Sequence, residues 1–140
     1  MADWYGCARS NYFRVKDVPK FVEFCERWSI APIYQKDDGK NPVGFLCEED
    51  GNGSLPTGFT DTVDGKVVEL TFGDFLDELS QHLAYGSVAI MMECGAEKLR
   101  YITGQAVAIN SRGQTREVSL NDIYKKARKL CDGEVSLCEY

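Results

Sequence analysis

The stretch Ser87-Val88-Ala89-Ile90-Met91-Met92-Glu93-Cys94 decides the fold class. Its apolar run, residues 88–92, is the longest in the chain, and it is far short of the roughly 18 residues that cross a bilayer. A run of this size bounded by polar residues is strand-sized, and near-continuous apolar character predicts a central strand buried on both faces. The rest of the sheet follows on either side. Residues 99–110 and 115–118 read as paired strands around the turn Ser111-Arg112-Gly113-Gln114. Just before the run, Phe72, Phe75, Leu76, Leu79 and Leu83 recur at helical spacing and predict an amphipathic helix ending near Gly86, with Asp74, Asp77 and Glu78 on its other face.

Nearer the N-terminus, residues 11–16 are rich in β-formers and suggest a first strand. Asp17 then caps a helix. Pro19 suits its first turn, and Phe21, Phe24, Cys25 and Trp28 form its buried face. Residues 33–36 and 43–48 read as a hairpin across the turn-rich segment 37–42. Residues 49–65 are dominated by glycine, proline and short polar side chains and read as one long irregular segment, after which 67–70 make a short strand. A third helix starts at Ser119 as cap, with Ile123, Ala127 and Leu130 turned inward, Lys125, Lys126, Arg128 and Lys129 turned out, and Asp132-Gly133 ending it. The order β-α-β-β-α-β-β-β-α is α+β: an antiparallel sheet of about five to six strands with about three helices packed on it, in one domain spanning residues 1–140.

Composition agrees with a compact chain: 140 residues, 44% hydrophobic and 27% charged. Sixteen Lys and Arg against 22 Asp and Glu give a net charge of −6, a poor balance for holding nucleic acid through its phosphates. The N-terminus has neither the basic start nor the apolar core of a secretory signal, so the chain is expected to be soluble and cytoplasmic, with no membrane contact. Its six cysteines (7, 25, 47, 94, 131, 138) include no pair separated by two residues, and there is one histidine, so neither a zinc ribbon nor a local redox pair is written in. Reduced, structural thiols are expected. Cys25 and Cys94 fall among apolar residues as small hydrophobes, and Cys131 and Cys138 are the pair expected to be exposed or cross-linked.

Chemistry is thinly signalled. His82, at the edge of the second helix's apolar face, reads as a boundary residue; it becomes a general base only if the fold brings a cysteine and loop carboxylates to it. Carboxylates cluster at 37–38, 48–50 and 61–64, mostly in turns, where they are normally solvated. Asp50-Gly51-Asn52-Gly53-Ser54, with Asp61 beyond, resembles the opening of an EF-hand calcium loop. The likeness fails at Leu55, where that loop needs glycine, and at Pro56. No metal and no cofactor is therefore expected. Trp4, Tyr5, Tyr12 and Phe13 read as core packing in preference to a base-stacking surface.

Charge is segregated along the chain. Residues 37–78 hold eleven acids and two bases, a net of −9, whereas 98–130 hold eight bases and two acids, a net of +6. Such a dipole steers encounters with oppositely charged surfaces. Two further stretches, Ala8-Arg9-Ser10-Asn11-Tyr12-Phe13-Arg14-Val15-Lys16-Asp17 and Gly95-Ala96-Glu97-Lys98-Leu99-Arg100-Tyr101-Ile102-Thr103-Gly104, resemble segments of small uncharacterised proteins carried by bacteria, phages and plasmids. The resemblance implies a mobile-element origin and, by analogy, inhibition of a host defence system, as anti-CRISPR and anti-restriction proteins do.

The sequence thus points to a binding protein rather than an enzyme, docking Asp37, Asp38, Glu48, Glu49, Asp50, Asp61 and Asp64 on a basic surface of a nucleic-acid-handling defence complex. One alternative is a small enzyme or ligand-binding domain built around His82. The other is a nucleic-acid-binding module that uses Lys98, Arg100, Arg112, Arg116, Lys125, Lys126 and Lys129.

Overall fold

A computed structural model describes residues 4–35, 42–47, 53–56, 58–98, 100–130 and 133–138. The fold is α+β. In chain order the elements are β1 (Trp4–Ser10), α1 (Val18–Arg27), β2 (Ala31–Tyr34), β3 (Val43–Leu46), β4 (Gly58–Val63), β5 (Lys66–Thr71), α2 (Phe72–His82), β6 (Val88–Glu97), β7 (Tyr101–Asn110), β8 (Thr115–Ser119) and α3 (Asp122–Arg128). Six strands form one antiparallel sheet in the order β2-β3-β1-β6-β7-β8, and β4 and β5 pair separately. No helix among the described residues is long and apolar enough to cross a membrane.

Helix α1 starts where its sequence places it: an Asp17 side-chain oxygen accepts from the Lys20 amide at 3.0 Å, satisfying one of the donors that a helix leaves open at its first turn. Thr71 and Asp74 close a capping box at α2. Both helices lie on one face of the sheet. Phe21, Phe24, Cys25 and Trp28 of α1 and Phe75 and Leu79 of α2 pack on Phe13, Val43, Phe45, Ala89, Met91, Val107 and Ile109. Phe75 is the hub, with edge-on contacts to Phe45 at 5.8 Å and Trp28 at 5.2 Å and a tilted contact to Phe24 at 5.3 Å. The buried Ser10 hydroxyl donates to the Asn11 carbonyl and accepts from the Phe45 amide, so its polarity costs the core nothing.

Several expectations change. The first strand is residues 4–10, not 11–16; of the latter, only Phe13 and Val15 make isolated bridges, to Val43 and Leu83. Within 49–65, residues 58–63 form β4 instead of continuing a loop. Asp64 and Gly65, both at positive φ, make the two-residue turn that folds β4 onto β5, the Asp-Gly hairpin signal within an otherwise polar stretch. Helix α2 stops at His82, and Gly86 lies in the turn before β6. Strand β6 is central, but it is buried on one face only: Ala89 and Met91 are fully buried, while Ile90 and Met92 are exposed. Helix α3 buries no residue. Ile123 and Leu130, expected to face inward, are exposed, and Ser119 ends β8, its hydroxyl accepting from the Asn121 amide instead of capping α3.

Candidate functional site: an open, apolar sheet face

The face of the sheet opposite α1 and α2 carries no packed helix among the described elements. Register puts Arg9, Met92, Ala106 and Val118 side by side across β1, β6, β7 and β8, with Cys7, Cys94 and Gly104 in the next row and Tyr5, Ala96 and Ile102 beyond them. Because side chains alternate between faces every second residue, these rows share one surface. Tyr5, Met92, Ile102 and Val118 on it are 69%, 62%, 50% and 64% exposed. A contiguous set of this kind differs from the scattered apolar residues that any surface shows.

Across the middle of this face runs an open groove of about 670 Å³. Its floor is the backbone of Gly6, Ala8 and Gly104 and the small side chain of Ala106, and Leu46 stands at one side with Val118 and Leu120 at the other. Gly104 is what lets Leu120 lie down there: a Cβ at 104 would come within 2.8 Å of the Leu120 side chain. Arg9 brings the positive charge, its guanidinium 5.8 Å from the centre of the Tyr12 ring. The Glu93 carboxylate is turned to the opposite face, with Ala89 and Met91, and accepts there from the Leu55 amide at 2.6 Å and the Gln105 side chain at 3.0 Å. Cys7 and Cys94 lie in the groove with their sulfurs 3.3 Å apart. Cys94 is therefore exposed beside a second thiol, and does not serve as a small core hydrophobe.

The residues singled out by sequence scatter around this face. Asp37, Asp38, Glu48, Glu49 and Asp50 lie outside the described residues, as do Cys131 and most of the acidic stretch that resembles a calcium loop. Asp61 is held by Arg27 at 2.7 Å, and Arg27 also reaches Glu78 at 3.0 Å, so that carboxylate is partly neutralised within the fold. Asp64 is exposed in the β4–β5 turn. The β4–β5 hairpin and α2, residues 58–82, hold six acids and one base, Lys66. The bases are spread over the molecule: Lys98 and Arg100 in the β6–β7 turn at one end of the sheet, Arg112 near Tyr85 in the β7–β8 turn at the other, Arg116 on β8, and Lys125, Lys126 and Lys129 exposed on and just after α3.

His82 stands at the end of α2 with its ring centre 5.0 Å from that of Phe24, and it does not line the groove. Burial pushes its pKa below the ordinary 6.5, with Lys16 and Lys20 acting the same way and Glu78 and Asp17 opposing them. Among the described residues no three His, Cys, Asp or Glu side chains converge as a metal cluster. Cys25 and Cys47 are buried, and burial pushes both thiols up to about 12. Sequence reasoning missed the groove because its parts come from five strands. No family model matches the chain, and neither does any curated protein or solved structure.

Proposed function

We propose that this protein is a non-enzymatic binding protein that docks a partner protein on the open face of its six-stranded sheet. One observation carries the reading: a contiguous apolar row across three strands, Met92, Ala106 and Val118 with Leu120 beyond, is left uncovered, while on the opposite face Ala89, Met91, Val107 and Ile109 are packed under α1 and α2. Each large apolar side chain there stands to gain about 1.5–3 kcal/mol when water is removed from it. The lining is aliphatic and sulfur-rich, with Tyr5 as the one aromatic in those rows, which suits a protein surface better than stacked bases. Arg9, and Arg116 two residues from Val118 on the same face, favour a partner that surrounds its apolar patch with acids.

A second reading rests on the six acids of β4–β5 and α2. They suit a basic partner such as the nucleic-acid-handling defence complex that the sequence resemblance implies, met from the helix side of the molecule.

One experiment separates the two. Wild type, a Met92→Asp/Val118→Asp variant and an Asp64→Lys/Glu69→Lys/Asp77→Lys variant are immobilised, and the proteins each retains from a bacterial lysate are compared at low and high salt. Loss of a partner in the first variant alone, largely independent of salt, is the expected result. Loss in the second alone, and only at low salt, favours the acidic surface. If both variants retain what wild type retains, or wild type retains nothing, both readings fall.

A further inference from the structure

The sulfurs of Cys7 and Cys94 meet across the β1–β6 ladder although the residues are 87 positions apart. The bond from the Asn11 amide to the Ile90 carbonyl sets the phase of that ladder. Counting back by twos, Arg9–Met92 and Cys7–Cys94 are hydrogen-bonded pairs, whose Cα atoms in an antiparallel sheet stand about 5.5 Å apart. That is within the range a disulfide spans, about 4.4–6.8 Å, and the two Cβ atoms rise from the same face. The sulfurs stand 3.3 Å apart, and closing the bond takes side-chain rotation with a small approach of the two strands.

Three other features single out this pair. Both thiols are exposed, in a groove of about 670 Å³, a volume within the range of small-molecule sites. Arg9, one row along on the same face, gives that groove a fixed positive charge. Cys25 and Cys47, by contrast, are buried and held as thiols by pKa values pushed up to about 12.

We infer that Cys7 and Cys94 form a dithiol site that exchanges with a small anionic disulfide of the oxidised-glutathione class, seated in the groove with its carboxylates toward Arg9. In the first step one cysteine, its proton given up to solvent, attacks a sulfur of the incoming disulfide. The S–S bond breaks, and half of the molecule leaves as a thiolate that takes a proton from water. In the second step the other cysteine, likewise deprotonated, attacks the protein sulfur of the mixed disulfide and expels the second half. Two electrons pass from the protein to the small molecule, one disulfide becomes two thiols, and a bond forms between β1 and β6. The short sulfur–sulfur distance makes the second step intramolecular and fast, so the mixed disulfide does not accumulate.

The test is incubation of the full chain with mixtures of oxidised and reduced glutathione, followed by alkylation of remaining thiols, intact mass and peptide mapping. Wild type is expected to lose two hydrogens and to yield a Cys7–Cys94 linked peptide at ratios where Cys25 and Cys47 are still alkylated after unfolding. Cys7→Ser and Cys94→Ser, both at exposed positions, are expected to keep one glutathione on the remaining groove thiol. The inference is overturned if wild type keeps Cys7 and Cys94 alkylatable in the most oxidising mixture. It is equally overturned if wild type holds a stable glutathione adduct there, or if Cys138, an exposed thiol elsewhere, reacts first. A charge-neutral disulfide in place of glutathione, reacting at least as fast, would remove the role given to Arg9.

Discussion

On β6, Ala89 and Met91 face α1 and α2 and are fully buried, whereas Ile90 and Met92, one residue along, face the other way and stay 36% and 62% exposed. The same contrast runs through the neighbouring strands: Val107 and Ile109 are packed under the helices, while Ala106 and Val118 stand open. The two faces are of similar apolar character, so hydrophobicity alone does not decide which is core. What decides it is which face the two capped, aromatic-rich helices land on. The covered face holds the fold together, and the open one is available for something outside the fold.

The sharpest way to break this comparison is to truncate one side chain on each face and measure denaturant unfolding. Phe75→Ala, at the hub of the aromatic cluster, is expected to cost about 3–5 kcal/mol through lost contacts and a residual cavity. Met92→Asp and Val118→Asp are expected to change stability by no more than about 0.5 kcal/mol. A loss on the open face as large as on the covered one would show that it is already packed.

The next effect is smaller and lies at the edge of the covered face, where Arg27 ties the β4–β5 hairpin and α2 to α1 through Asp61 and Glu78. Arg27→Gln is expected to cost at most about 1 kcal/mol, since all three side chains are partly exposed, and the cost is expected to shrink in molar salt. A cost that ignores salt would assign the role of Arg27 to packing of its alkyl stem.

The smallest effect concerns His82. Its pKa is lowered by folding, so the folded state prefers the neutral ring. The stability this gives is fully present above the ordinary value of 6.5 and falls as pH drops through it toward the folded value, because the unfolded chain takes up a proton that the folded one resists. Wild type should therefore lose more stability than His82→Gln between about pH 7 and about pH 5. Parallel curves would mean that the ring is as free to ionise in the fold as out of it.

Much of the covered face was legible in the sequence. Phe21, Phe24, Cys25 and Trp28, and then Phe72, Phe75 and Leu79, repeat at helical spacing, and the cap at Asp17 and the hairpin of β2 and β3 are local signals. Strand β4 was not legible, because Gly58, Thr60, Asp61 and Thr62 make a pattern of turn residues and its pairing with β5 supplies what its composition lacks. The open face was hidden for a different reason. A strand apolar on both faces predicts burial on both, and nothing local to Ile90 or Met92 says that no helix covers them. Helix α3 misled in the same way: Ile123 and Leu130 have the spacing of a buried face but no surface to meet. The thiol pair is a contact across 87 positions and has no local signature.

The order of strands has a consequence for how the molecule comes together. Strands β6, β7 and β8 are successive hairpins, and β2 and β3 are another, so each group can form from neighbours in sequence. Only β1 joins them, and its seven-residue register is with β6, about 80 residues further along. Closing so long a loop is the slow, entropically costly event in assembling a sheet. β1 must therefore wait, unpaired on one edge, until residues 11–87 have been made and β6 follows, and the step that seats it is the step that turns two small sheets into one.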